Sequence, residues 1–352
     1  MKTRFLFPKA HLQPFILIFI LFIFSGCHPK TPNEPGTDKG ADSLPAGQIP
    51  DTDLQEVGFL PYWVTTAQFA GYYVAEEKGF YEKYGIKIRI IPFTPFVTSQ
   101  DLIAQGEADF AAIWLVNAIQ LRVGGVDIVN IAQPSSRSSL MLLTKKKSGI
   151  DSIEKMDGKR AGIWSGFELQ PRVLFHQHKV DVEIVPIGST NTLFLTDAVD
   201  IINASWFDEY HSIINSGYDP DELNIFFFAD YGFNFLEDGI YCLRETMKND
   251  PDLCVRFIQA TLDGWRYAFS HKEEAIDIVV NRAKQENRPV NRVHQSWMLD
   301  RYQDLYLPEG KADFHNNLAE SDYLFAGKVL LENGQIDRIP EYSDFFQPLL
   351  EK

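Results

Sequence analysis

Short apolar runs alternate with helix-like segments from Gly58 to Leu243, and this alternation limits the possible folds more than any other feature. The first unit is a buried strand, Gly58–Leu60, an aromatic loop of Pro61, Tyr62 and Trp63, and then a helix. Thr66 is its candidate N-cap, Phe69, Tyr73 and Val74 share a face, and Gly79 is a natural stop. Further strand-like runs are Ile86–Ile91, Asp109–Ile113, Ile128–Ala132, Leu140–Thr144, Arg160–Trp164, Val182–Ile187, Val199–Asn203, Asn224–Phe228 and Gly239–Leu243. Between them Ser99–Gln105, Val116–Arg122, Leu169–His178 and Phe207–Ser216 read as helices. Such alternation predicts an α/β protein with parallel or mixed sheets covered by helices. After Arg244 the chain turns helical. Asp250 followed by Pro251 opens a long helix to about Ser270, and Glu273–Gln285, Val293–Tyr306 and Leu318–Glu332 follow.

The N-terminus reads as a processing signal. A basic start precedes the apolar run Phe15–Phe24, which is too short to span a bilayer comfortably. It ends in Ser25-Gly26-Cys27, the pattern of a bacterial lipoprotein signal in which Cys27 becomes the lipidated first residue. Residues 27–52 are rich in Pro, Gly, Asp, Lys and Ser and predict a flexible tether. That order places the folded part outside a membrane, held by lipid.

The net charge of −15 repels phosphate backbones and argues against nucleic-acid binding. Hydrophobic content of 45% is that of a globular protein, and 352 residues suffice for two lobes. Cys242 and Cys254 are the remaining cysteines; two buried free thiols is the reading taken, and a disulfide is the alternative.

The wording QFAGYYVAEEKGFYEKYGI resembles the opening of the thiamine-precursor solute-binding lipoproteins of ABC importers, the NMT1/THI5-like and SsuA-like group. QPSSRSSL (133–140), the GKR and GIW of 158–164, NASWFDEY, LEDGIY, DGWRYAFSHKEEAIDIV and HQSWM continue the likeness in order, across nearly all of 53–352. In NASWFDEY, Phe207 stands where the family has Tyr and Asp208 where it has Asn. The resemblance implies a two-lobed, type II periplasmic-binding-protein-like fold, two mixed sheets joined by two crossovers. It puts the crossovers near Thr144–Ser148 and Glu237–Tyr241, so that 53–144 with 240–352 form lobe 1 and 145–239 lobe 2. The C-terminal helices would then pack on lobe 1.

Ligands of such folds sit where strand ends and helix N-termini face each other. In lobe 1 these loops offer Trp63, Gln68, Tyr72, Trp114 and Asn117. In lobe 2 they offer Ser165, Phe167 and Glu168, then Trp206, Phe207, Glu209 and Tyr210; Glu237 lies at the return crossover, with Asn234 and Asp238. Flat rings on opposed lobes suit a planar heteroaromatic ligand, and Glu209 can accept from an exocyclic amine or, protonated, donate to a ring nitrogen. Trp164 reads equally as core or ligand-facing, Trp265 and Tyr267 as core, and His294 as a packing residue rather than a metal ligand. The run Lys145–Lys147 reads as a solvated hinge loop, and Arg137 as either an anion contact or a structural ion pair.

No phosphate-cradling glycine loop, HExxH, paired CxxC or GxSxG is present. The fungal pyrimidine synthases of the same superfamily carry a cysteine-rich iron motif that this chain lacks. The missing motifs predict a carrier rather than an enzyme, with no cofactor or metal and monomeric, and the resemblance implies that it delivers a small planar heterocycle to an ABC permease and its ATPase. The resemblance implies a thiamine-precursor aminopyrimidine as the first expectation for the ligand and riboflavin as the second. Sulfonates and nitrate need no stacking partners and are disfavoured.

Overall fold

A computed structural model describes residues 54–94, 98–308, 313–314 and 316–350. The expected signal, Cys27 and the whole tether lie outside the described residues. Among the described residues no helix is long and apolar enough to cross a membrane.

The first lobe is built on β1 (Gln55–Leu60), β2 (Ile86–Ile90), β3 (Phe110–Ile113) and β4 (Ile128–Ala132). Its helices are α1 (Ala70–Glu77), α2 (Phe80–Lys83), α3 (Ser99–Ala104) and α4 (Leu115–Val123). The second lobe holds β5 (Leu140–Lys145), β6 (Arg160–Trp164), β7 (Glu183–Ile187), β8 (Ile201–Ser205) and β9 (Leu223–Phe227). Helices α5 (Leu169–Gln177), α6 (Thr192–Leu195) and α7 (Glu209–Asn215) accompany them. The chain then returns as β10 (Gly239–Leu243) and ends in α8 (Arg244–Asn249), α9 (Pro251–Ser270), α10 (Lys272–Gln285), α11 (Arg292–Tyr306), α12 (Glu320–Glu332) and α13 (Tyr342–Phe345).

The two five-stranded sheets share one plan, β2-β1-β3-β10-β4 and β7-β6-β8-β5-β9. In each, a central strand pairs in parallel on both sides, β1 with β2 and β3, and β6 with β7 and β8. The strand that enters by a crossover takes the antiparallel slot: β10 against β3 and β4, β5 against β8 and β9. All six parallel strands consequently point their C-terminal ends at the cleft, the position where open α/β sheets hold ligands.

The first change of sheet falls at 133–139, upstream of the Thr144–Ser148 crossover expected from the sequence. Leu140–Lys145 is a full member of the second sheet, because its two edges pair with β8 and β9. Lys145 is accordingly not a solvated hinge residue. It is buried, with its ammonium 2.6 Å from Asp197 and donating to the Phe194 carbonyl.

Lobe 1 is closed by the C-terminal helices. Phe257 of α9 stacks on Phe110 with ring centres 4.0 Å apart, and Trp265 is fully buried. Helices α1 and α9 cross so closely that a Cβ at Gly264 would sit 2.1 Å from the Gly71 carbonyl, so a side chain there would push the helices apart. The Asp250 carboxylate caps α9 through the Leu253 amide at 2.9 Å, with Pro251 at the first position as expected. Thr66 has the extended backbone of a cap, yet its hydroxyl is buried without a partner. The reason is tertiary: the Gln68 amide it would have served donates to Met298 Sδ of α11 (3.1 Å), beside the Ala67 amide on Gln295 Oε1 (2.6 Å). Cys242 and Cys254 are buried free thiols.

Candidate functional site

A cavity of about 500 Å³ opens between the two lobes. Lobe 1 supplies Tyr62 and Trp63 after β1, Gln68 before α1, Phe93, Thr98 and Gln100 after β2, and Trp114 after β3. Lobe 2 supplies Trp164, Ser165 and Phe167 after β6, then Ile187, Gly188, Ser189 and Asn191 after β7. Ser205, Phe207, Asp208, Glu209 and Ser212 complete the wall after β8. Tyr62 and Trp114 stack with centres 5.4 Å apart and planes 19° off parallel. Phe167 meets Trp114 edge-on across the cleft at 5.1 Å and meets Trp164 edge-on within its own lobe at 5.7 Å. Trp63, 41% exposed, leans on Phe93 at the rim. The Tyr62 hydroxyl donates to Asn117 Oδ1 (3.4 Å), and burial pushes its pKa up to about 12, so it stays a neutral ring.

Two carboxylates stand on the lobe 2 wall. Glu209 Oε2 accepts from the Ser205 amide (3.0 Å) and hydroxyl (2.7 Å). Burial, and then the neighbouring Asp208 charge, raise its pKa to about 7. Asp208 Oδ1 lies 2.9 Å from His294 Nε2 on α11, and His294 Nδ1 is 2.8 Å from His211 Nδ1 on α7. His211 also stacks on Trp297 at 4.9 Å, and burial lowers its pKa. Trp297 Nε1 donates to the Trp206 carbonyl at 3.0 Å, so α7 and α11 tie the lobes together beside the cavity.

Behind the lobe 1 wall, Gln68 Nε2 donates to Asp238 Oδ2 at 3.0 Å and Tyr302 donates to the same oxygen at 2.6 Å. Burial raises Asp238 to about 6. Glu237 is buried beside it. Its carboxylate accepts from Ser138 Oγ (2.8 Å), the Ser139 amide (3.0 Å) and Ser139 Oγ (3.1 Å), and its carbonyl accepts from Gln133 Nε2 (2.9 Å). One residue of the return crossover thus fastens the outgoing one. Among the described residues no group of three or more His, Cys, Asp or Glu side chains is arranged to hold a metal ion.

The family model NMT1/THI5 like matches residues 66–275, more than half of the chain. This chain belongs to the NMT1/THI5-like family. It is 23% identical over 274 residues to the riboflavin-binding protein RibY of Chloroflexus aurantiacus, spanning 74% of this chain and 75% of the relative. It is 24% identical over 255 residues to a putative thiamine biosynthesis protein of Haemophilus influenzae, spanning 70% and 79%. The fold is that of the periplasmic aliphatic sulphonate binding protein SsuA of Escherichia coli, at a TM-score of 0.66 and 14% identity, covering 85% of this chain and 94% of that one.

Of the candidates offered by the strand-end loops, the cavity wall brings together Trp63, Gln68, Trp114, Ser165, Phe167, Phe207 and Glu209. Six others stand elsewhere. Tyr72 is fully buried in lobe 1, stacked on Phe59 at 4.1 Å, because it lies on the inward face of α1. Asn117 sits behind Tyr62 as its acceptor. Glu168 turns back onto the Gly166 amide at 3.0 Å. Trp206 is covered by the Arg301 guanidinium and Tyr210 packs on Trp297, both outside the cavity wall. Glu237 is consumed by the hinge. Arg137 pairs with Asp230 at 2.6 Å, so it takes the structural of its two readings. Tyr62, Phe93, Gln100, Asp208 and the Ser189–Asn191 loop also line the wall and are not among the sequence candidates. The loop follows the run Glu183–Ile187, so the strand-end rule applied to β7 would have found it.

Proposed function

We propose that this chain is the extracytoplasmic solute-binding component of an ABC importer, closing its lobes on a planar heteroaromatic ligand. An aminopyrimidine of the thiamine-precursor type is the ligand this reading favours. The observation that carries it is the meeting of rings from both lobes, Tyr62 and Trp114 against Phe167 and Trp164, around a cavity of about 500 Å³. A flat ring inserted there gains roughly 0.5–1.5 kcal/mol per aromatic pair beyond area burial. Contacts from both lobes stabilise the closed form, which the permease then recognises. Trp63, Gln68, Trp114, Ser165, Phe167, Phe207 and Glu209 are the proposed contacts, joined by Tyr62, Trp164, Phe93 and Asp208. Glu209, near its midpoint at neutral pH, can accept from an exocyclic amine or donate to a ring nitrogen. No bond is made or broken, the protein works as a monomer, and Cys27 carries the lipid that holds it to the membrane.

Riboflavin is the second reading, favoured by the relative of that name at 23% identity. Native mass spectrometry of protein purified without added ligand tests both. A co-purified pyrimidine supports the first and a co-purified flavin the second. Iron-dependent turnover of the bound molecule would place the chain among enzymes instead. Loss of membrane partitioning in Cys27→Ala tests the anchor.

A further inference from the structure

The rings of the cleft explain shape; its charges are one-sided. No Lys, Arg or His lines the cavity among the described residues, while Asp208 and Glu209 do. Cations on nearby elements are already engaged. Arg301 lies 2.9 Å from Asp304 and is held between Trp206 and Trp297, Arg137 is paired with Asp230, and Lys145 with Asp197. A phosphate, sulfonate or carboxylate on a ligand would therefore meet two carboxylates and no compensating cation among the described lining residues, and like charges brought together cost several kcal/mol. A positive charge meets the opposite situation. Aromatic faces attract a cation enclosed among them, and the attraction strengthens as water is expelled. The chain's overall charge of −15 draws cations towards the protein as well.

Resting on the planar-ligand reading above, we infer that the cleft sorts flat ligands by charge, with Asp208 and Glu209 setting the sign: a heteroaromatic carrying a positive charge is taken, and its phosphate or sulfonate derivatives are refused. The supply of such a ligand then requires that any phosphate ester be hydrolysed before capture. Charge also separates the two ligand readings, since a neutral flavin offers nothing to the acidic wall. Glu209 supplies a second signature. Its carboxyl is held near half-protonation by burial and by Asp208, and a bound cation favours the ionised form, so binding expels a proton to solvent. The other titratable groups around this point are His294 on Asp208 and His211 behind it.

Calorimetric titration of the full-length protein with three related probes tests the inference. Thiamine carries a permanent thiazolium charge, thiochrome is its neutral fused-ring oxidation product, and thiamine monophosphate adds an anion. Thiamine is expected to bind roughly 10- to 100-fold more tightly than thiochrome, and thiamine monophosphate roughly 100-fold or more weakly than thiamine. In Glu209→Gln the preference for thiamine over thiochrome should shrink. In the wild type, thiamine affinity should rise between about pH 6 and about pH 8, with a buffer-dependent enthalpy that reports the released proton. Thiochrome or riboflavin binding better than thiamine would overturn the charge filter while leaving the flat-ligand cleft standing. Equal affinity for thiamine and its monophosphate would overturn the filter too. Binding of none of the three, nor of riboflavin, would remove the reading beneath it as well.

Discussion

Two adjacent acid pairs, Asp208-Glu209 and Glu237-Asp238, sit where the chain turns between sheet and loop, and they have opposite fates. At the hinge, Glu237 and Asp238 are buried and each accepts on both oxygens: the Ser138 and Ser139 hydroxyls and the Ser139 amide serve one, Gln68 and Tyr302 the other. At the cleft, Glu209 is bonded through one oxygen to Ser205 and Asp208 through one to His294, and both face the cavity. Burial raises the pKa of Glu237 and of Glu209 alike, to about 7. A raised pKa alone therefore does not mark a ligand site. What separates the pairs is whether protein donors have taken the remaining lone pairs. A saturated buried carboxylate holds the fold; a half-saturated one on a cavity wall has capacity left for a ligand.

The largest effect should come from Glu237→Ala. It strands the Ser138 and Ser139 donors in the interior and unfastens the two crossovers, so unfolding in urea should show a loss of about 3–5 kcal/mol. Asp238→Asn keeps the shape and an acceptor for Gln68 and Tyr302, and should cost about 1–3 kcal/mol in the same assay. Stability of the wild type close to Asp238→Asn and Glu237→Ala alike would erase the contrast.

Acidity sharpens it next. The folded pKa of Glu237 lies above the unfolded one, so the native state holds the proton more tightly between about 4.5 and about 7. Stability from this group is therefore complete below that window and is lost as pH rises through it. Measured against Glu237→Gln, which does not titrate, the wild type should lose up to about 1.4 kcal/mol per pH unit across the window. A difference that stays flat from pH 5 to pH 8 would contradict the burial argument. The smallest effect on stability belongs to the cleft: Glu209→Gln should move the unfolding midpoint by less than about 1 kcal/mol, since Ser205 keeps an acceptor.

The alternation of apolar runs with helices predicts parallel or mixed sheets covered by helices, the resemblance divides them between two lobes, and the strand-end rule leads to loops that line the cavity. Those signals are local and periodic, and burial on one face enforces them. Facing was harder to read. Gln68 and Tyr72 are four residues apart around the start of α1, yet one reaches the cavity and the other the lobe core. Trp206 and Phe207 are neighbours, and only Phe207 turns inward, because α11 offers Trp297 and Arg301 to receive Trp206. Lys145 looked solvated within a run of lysines, but pairing of β5 on both edges carries it inside to Asp197. Trp206 and Lys145 depend on partners more than 50 positions away, Arg301 and Asp197, which no local pattern encodes.

The central claim is that rings from both lobes grip a flat ligand, and fluorescence of the cleft tryptophans reports on it directly. Titration of an aminopyrimidine and of riboflavin into the wild type should give a saturable one-site change in emission for at least one of them, weakened roughly tenfold or more in Phe167→Ala. No saturable change with either, or equal affinity in wild type and Phe167→Ala, would contradict the account.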